Sequence, residues 1–546
     1  PIVQVRARGA RHSDPPRMFF TVPEYRAWAE GRAAGSFTAR YYKGLGSSTA
    51  ADARRYFSDL SRHVVDVVPP PGLAPADAAR AISDAMNLAF SKEKAAERKT
   101  WLQRYHSGLH IDYSKPVTVP EFVDEELILF SHYDNERSIP GIDGLKPSQR
   151  KVVWHALRRA WPAGKVVKVA QLAAAVAEST HYHHGEAAMC DTLVKMAQRF
   201  VGRGAVQLLA SEGMFGTRSE GGRDAASPRY IFTRPTAMLE ALFPASDLAL
   251  EEPQMEEGNA TEPKLLHPVV PLALLRNVHG VGTGYSTDVP PFGAAEVVAA
   301  TRRLVTWLRA RNQLVLDPDS DSGSRGGSET GIPSAALAQR EVVEQALATV
   351  ALEPAFPGFR GTVEKVAPGK YKTHGVATLV SPGVLHISEL PVGMWTEKYA
   401  ETVLDALATG GSLSRKKKDR KRSKEEDPPL VRWFNHHHTD NLVMFEVKLT
   451  PAGEALVGDC TGAALDAVRK AFDLTTNLRT TNMHLFDGDK LRKFETAEEV
   501  VGAWAPGRLE MYQQRYEAVK AQLRNAARRK SNEARYIEAM RDTTKT

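Results

Sequence analysis

Two cysteines in 546 residues, Cys190 and Cys460, stand far apart and outside any CxxC or CxxCH arrangement. That scarcity argues against a disulfide framework and against a thiolate zinc site, and it fits a reducing compartment. No apolar run reaches the roughly 18 residues of a membrane-spanning helix. The opening Pro1-Ile-Val-Gln-Val lacks the charged start and apolar stretch of an export signal. An intracellular protein with no membrane contact is expected. The chain opens without an initiator Met, so further sequence is expected upstream of Pro1. Neither sign of charge dominates: 72 basic against 65 acidic residues leave +7, an excess that permits nucleic-acid binding without requiring it.

What is present suits packed globular structure, with 42% hydrophobic and 25% charged residues. Single cores stop growing at about 250–300 residues, so several domains are expected. Residues 1–68 read as short β-rich pieces and a helix, the tail of an α/β domain. Pro69-Pro70-Pro71-Gly72 breaks the chain, and 69–120 reads as a helical linker. Residues 121–245 show helices at Glu121–Ser131, Lys146–Trp161, Val169–Glu178 and Glu186–Val201, separated by Gly-containing loops, and helices with a following β-rich loop suit a winged helix. Residues 246–500 alternate strands, turns and shorter helices, with extended pieces at Gly361–Val366 and Val376–Glu389. From Arg508 to Met540 no Gly or Pro interrupts a run dense in Arg, Lys, Glu and Ala, which predicts a long helix. Two segments, Asp317–Ser328 and the strongly basic Arg415–Lys424, read as exposed loops.

The densest chemistry lies in Gly213–Tyr230, where four glycines and three arginines precede a single tyrosine. Glycines allow close backbone approach to a ligand. Arginines present planar donors suited to phosphate oxygens, and Pro228 fixes the local path ahead of Arg229 and Tyr230. A phenol ionises near pH ~10, so as a nucleophile it needs cationic neighbours or a base. Gly-x-Phe-Gly-Thr-Arg (213–218), Gly-Gly-Arg-Asp-Ala-Ala-Ser-Pro-Arg-Tyr (221–230) and Ile-Phe-Thr (231–233) together closely resemble the active-site segment of type IIA DNA topoisomerases of the eukaryotic and large-virus kind.

That resemblance continues in order along nearly the whole chain. It takes in Tyr41-Tyr42-Lys43-Gly44-Leu45-Gly46, Ala89-Phe90-Ser91-Lys92, Asp134-Asn135-Glu136-Arg137-Ser138-Ile139-Pro140 and Asp143-Gly144-Leu145-Lys146-Pro147-Ser148-Gln149-Arg150-Lys151. Lys168-Val169-Ala170-Gln171-Leu172, Tyr182-His183-His184-Gly185-Glu186 and Glu389-Leu390-Pro391-Val392 follow. The family implies a multidomain α/β and α+β fold: a Toprim tail, a winged-helix domain, an α/β tower domain (246–500) and the first arm of a coiled-coil C-gate (501–546). It implies Tyr230 as nucleophile forming a 5′-phosphotyrosyl link, His184 hydrogen-bonding the scissile phosphate, and Arg229 stabilising developing charge. Lys43, Arg137, Lys146, Gln149, Arg150, Lys151, Lys168, Gln171, His183 and Arg218 are expected to contact the duplex. Lys146, Arg150 and Lys151 sit at spacings that place them around the first turns of one helix, suited to consecutive phosphates.

Gly280-Val281-Gly282-Thr283-Gly284 lacks the strand–loop–helix setting of a nucleotide loop. It matches the family's Gly-Ile-Gly-Thr-Gly, which gives Val281 the role of a wedge between base pairs. His436-His437-His438 is not expected to bind metal, because adjacent histidines point in different directions and no carboxylate or cysteine follows at ligand spacing. The family's acidic magnesium ligands are absent from the sequence and are expected upstream of residue 1, as is its ATPase module. The resemblance thus implies Mg2+, ATP in the complete enzyme, double-stranded DNA and a homodimer, in a nucleus or a viral compartment. The alternative is a winged-helix DNA-bending protein without catalysis.

Overall fold

The computed structural model describes residues 3–543, apart from 12–13, 34, 43–47, 59, 61–62, 107, 114, 205, 257–258, 311–339 and 411–427. Lys43 and the segments Asp317–Ser328 and Arg415–Lys424 lie outside the described residues. Chain contacts define two units: Pro1–Ser138 with Met255–Ala260 and Val281–Ser286, and Ile139–Gln254 with Thr261–Gly280 and Thr287–Thr546.

In the first unit, the strand Val3–Ala7 runs antiparallel between Arg17–Phe19 and Phe37–Tyr41. Val3, Val5 and Phe19 pack with Tyr25, Trp28, Phe37 and Tyr41. Thr21 starts the helix Val22–Ala29 by accepting from Glu24 N at 3.3 Å, with Pro23 in the first turn, where its missing N–H costs nothing. Further along, Thr118 and Glu121 cap one another reciprocally. The helical stretch they open runs through Val119–Glu121, a wider π-helical segment Phe122–Leu127, and Ile128–Ser138. It is therefore longer than the expected Glu121–Ser131 and less regular. Trp101 is buried beside it and donates Nε1 to Asp124 at 2.9 Å.

In the second unit, three helices stand at Pro147–Arg158, Val169–Ser179 and Glu186–Ala197. The first stops short of the expected Trp161, with Arg159 extended and Pro162 close behind, where continued helix would leave an unfilled hydrogen bond. Val152, Val153, Leu172, Val176, Met189, Leu193 and Val194 interlock as their core. The strand Val167–Lys168 pairs with Phe232–Thr233, and a bridge from Glu212 to Phe232 adds a third edge. Beyond them lies a four-stranded antiparallel sheet in the order Val376–Ser381, Val384–Glu389, Phe445–Leu449, Val431–His436. Pro382-Gly383 splits the expected extended run 376–389 into a hairpin, Gly383 taking a φ of 72° that other residues adopt only with strain. Thr362–Ala367, Lys370–His374 and Thr475–Arg479 make a second antiparallel sheet.

The last helix, Ala497–Thr543, begins well before the expected Arg508 and carries Gly502, Pro506 and Gly507 inside it. Burial overrides their poor propensity: Val500, Val501 and Leu509 join the core, and Trp504 donates to Pro268 O at 3.0 Å. Arg508 is buried and donates to Asp247 Oδ2 and to His267 O, both at 2.7 Å. Past this anchor Val519, Leu523, Tyr536, Ile537 and Met540 are exposed.

One interior ion pair fixes the start of Pro147–Arg158. Asp143, wholly buried, accepts from Arg150 Nε at 2.7 Å and Nη2 at 3.0 Å, and from the backbone of Leu145 and Leu266 at 3.1 Å each. Asp143→Ala strands a buried guanidinium, a loss of about 3–5 kcal/mol. Calorimetric unfolding of the variant should show that drop; a loss under about 1 kcal/mol, the scale of a surface pair, would contradict the assignment.

Candidate functional site

The end of a helix needs acceptors for its first amides, and the chain after Pro228 supplies them. Val169 N donates to Ile231 O at 3.0 Å and Ala170 N to Pro228 O at 3.1 Å. Between those two carbonyls Tyr230 N closes a turn onto Ser227 O at 2.9 Å. Ile231 is buried and Arg229 exposed, while Tyr230 stands 70% exposed. The turn therefore holds a phenol and a guanidinium out in solvent on a backbone fixed from both sides.

The glycine-rich loop ahead of the turn is equally constrained. Thr217 donates its N and Oγ1 to Asp224, and Gln198 Nε2 donates to Phe215 O at 3.0 Å and Gly222 O at 3.1 Å. Gly216 has a φ of 91°, and a Cβ there would lie 2.6 Å from Gly222 Cα. Only two glycines allow that crossing.

Around the turn, Lys168 and Gln171 are exposed at the start of Val169–Ser179, and Lys168 pairs across the ribbon with Phe232. His183 and His184 are exposed just ahead of Glu186–Ala197, with the His184 ring 5.3 Å edge-on from Tyr182. Ser227, Pro228 and Arg229 line an open groove of about 630 Å³ together with Ala170, Glu186 and Lys195.

Lys146 is half-buried; desolvation, with Lys195 and Arg276 nearby, pushes its ammonium below the usual lysine range. Gln149 accepts from Arg276 Nη1 at 3.4 Å, and burial lowers the Arg276 guanidinium to about 10. Three cations thus gather on one side of Pro147–Arg158, an arrangement that an anion stabilises.

Three of the expected DNA contacts are placed elsewhere. Arg150 is committed to Asp143. Lys151 is buried, with Nζ 2.9 Å from Glu262 and 2.6 Å from Thr180 O. Arg218 is buried against Glu389 and donates to Leu390 O at 3.2 Å. A buried cation needs its counter-charge, and each of the three has an internal one. Their role here is to tie segments of the second unit together.

In the first unit, Arg137 is exposed near the end of Ile128–Ser138. Val281 is 66% exposed, and its loop is fastened to the same helix: Asn135 Nδ2 donates to Thr283 O and Thr283 Oγ1 to Asp134, each at 3.0 Å. Lys99 lies over the Tyr285 ring at 5.0 Å.

The family model for the A subunit of DNA gyrase/topoisomerase IV matches residues 137–335 and 334–546, and that of the C-terminal associated domain of TOPRIM matches 1–135. Human DNA topoisomerase 2-alpha is 34% identical over 535 residues, 95% of this chain and 30% of its own length. Chicken DNA topoisomerase 2-beta is 35% identical over 95% of this chain and 29% of its own. The crystal structure of the Plasmodium falciparum topoisomerase II DNA-binding, cleavage and re-ligation domain superimposes with a TM-score of 0.73 at 30% identity, covering 96% of this chain and 62% of that one. The chain belongs to the type IIA DNA topoisomerase family. It spans about 30% of the length of the curated topoisomerases it matches.

Against this topoisomerase frame, Arg276 is the residue that reading the sequence passed over. Its one signal is an arginine a few residues ahead of the Gly280–Gly284 motif; its closeness to Lys146 needs the fold. Lys146→Gln removes one half-buried positive charge without touching the buried pairs, which tests the expected phosphate contact. The slope of log affinity for duplex DNA against log salt should become shallower by about 1. An unchanged slope would show that Lys146 does not meet a phosphate.

Proposed function

We propose that this chain is the breakage-and-reunion portion of a type II DNA topoisomerase and that Tyr230 is its nucleophile. The observation that carries this reading is the fixed, solvent-facing Arg229-Tyr230 turn in a chain of this family. Tyr230 Oη attacks a backbone phosphorus, a P–O bond to Tyr230 forms at the 5′ side, and the P–O3′ bond breaks. The phenolic proton is lost, and the leaving 3′ oxygen gains one to become a hydroxyl. One phosphodiester replaces another, so the reverse attack reseals the strand without outside energy.

Exposed Arg229 supplies donors to the charge that grows on the phosphate oxygens, and His184 and His183, by their match to the family's motif, hydrogen-bond them. Lys168, Gln171, Arg137, Lys146, Gln149 and, by its sequence motif, Lys43 serve as sequence-independent duplex contacts. Val281 presents an exposed apolar wedge on a braced loop, the device by which proteins exchange stacking for a bent duplex.

In the complete enzyme the family implies magnesium, ATP-driven gate movement, attached ATPase and Toprim parts, and a two-fold dimer that opens both strands. Among the described residues no group of three or more carboxylates placed to hold one ion occurs, and no step here runs through magnesium. No helix of the described residues is long and apolar enough to cross a membrane, and we place the enzyme with its DNA, in a nucleus or viral compartment.

The complete protein, incubated with supercoiled DNA and magnesium and quenched with detergent, should yield protein-linked broken DNA. Tyr230→Phe should abolish that product while leaving duplex affinity within about twofold, since a lone phenol oxygen adds little to binding. Covalent product surviving the substitution would overturn the proposal.

A further inference from the structure

A His-x-His pair at the end of a strand points both rings to one side, because side chains alternate faces along extended chain. The strand Val431–His436 ends on the first residue of such a pair, and His438 follows just beyond it. His436 and His438 have their rings 5.2 Å apart, and both pack on Phe445, at 5.3 and 5.7 Å. His437, between them, faces away to Glu446 at 3.3 Å. Phe445 is fully buried, which gives the two rings a rigid floor.

The carboxylate missing at ligand spacing in the sequence comes from the short helix Thr396–Tyr399, far off in the chain. Glu397 Oε1 lies 3.2 Å from His438 Nε2. One ligand atom from each of Glu397, His436 and His438 lies within 4.8 Å of the other two. His438 has its remaining ring nitrogen, Nδ1, buried without a hydrogen-bond partner among the described residues. Ser219 Oγ donates to Glu397 Oε1 at 3.2 Å, and Glu397 N donates to Ser219 O at 3.2 Å. The expectation that this triple histidine lacks a ligand set is corrected: adjacent rings do diverge, but alternate rings converge, and the fold supplies the third donor.

We propose that Glu397, His436 and His438 bind a divalent transition-metal ion of the zinc class. Two imidazoles and one carboxylate form a three-ligand zinc set, with the fourth position left to water. Bonds of about 2.0–2.2 Å put tetrahedral ligand atoms about 3.4 Å apart. The Glu397–His438 pair already has close to that separation, and the exposed His436 ring closes the rest by side-chain rotation. Ser219 orients the carboxylate by donating to Oε1, as outer groups do around bound metals. Ser219 follows Arg218 in the loop ahead of the Tyr230 turn, so the ion joins that loop to the four-stranded sheet. The site stands apart from the cleavage chemistry and does not rest on it.

The test is calorimetric titration of zinc sulfate into the untagged, chelator-stripped protein, with cobalt(II) absorption as a second readout. We expect one equivalent bound, an intense four-coordinate cobalt spectrum, and a melting temperature raised by the ion. Glu397→Gln and His436→Ala should each weaken binding by at least about tenfold, and Ser219→Ala by about tenfold. His437→Ala should bind as the parent does. His436 and His437 are both exposed, so neither variant endangers the fold. No uptake, uptake unchanged in His436→Ala, or equal loss in His437→Ala would each overturn the site.

Discussion

The first two amides of the helix Val169–Ser179 have no partners within their own helix, and the backbone around Tyr230 satisfies them. Such amides left dry and unpaired would cost a few kcal/mol, so the helix end and the turn hold each other in place. Everything proposed for the cleavage chemistry hangs on this exchange. It keeps a large apolar ring in water, on a turn whose next residue is buried, and it does so without strain at Tyr230 itself. Between Gly213 and Asp224 the loop crosses itself through paired glycines and the Thr217–Asp224 clasp, so the loop leading to Tyr230 is held by the chain's own contacts.

Buried ion pairs carry that rigidity outward. Arg150 with Asp143 sets the start of one helix, Lys151 with Glu262 ties the same helix to a later strand, and Arg218 with Glu389 fastens the glycine-rich loop to the four-stranded sheet. Such pairs add little net stability over apolar packing, but each is costly to break. They are better understood as fixing which segments meet. The cations left at the surface or half-buried, Arg229, Lys168, Lys146 and Arg276, are the ones with charge to spare for a phosphate.

Much of this was legible from residues alone. Three helices of the second unit, Pro147–Arg158, Val169–Ser179 and Glu186–Ala197, lie within four positions of their expected bounds, and the Gly213–Tyr230 segment was singled out by its resemblance to the family's active-site segment. Spacing could not separate Arg150 and Lys151 from Lys146, because helical neighbours differ in which side faces the core, and the partners Asp143 and Glu262 are set by tertiary contact. Ala497–Thr543 outran its propensity since buried Trp504 and Arg508 outweigh a proline in the helix. Glu397 could not be matched to His436 and His438 from sequence, although the alternating histidines were a usable hint. Arg276 was hidden for the same reason as Glu397: a contact distant along the chain leaves no periodic trace.

The central claim is that the Tyr230 oxygen itself becomes the DNA-linked atom. It is tested most directly by trapping the complete protein on DNA, digesting the adduct with nuclease and protease, and sequencing the nucleotide-bearing peptide by mass spectrometry. The account predicts a 5′-linked nucleotide on Tyr230 and on no other residue. A nucleotide on any other side chain, or a linkage through the 3′ end, would contradict it.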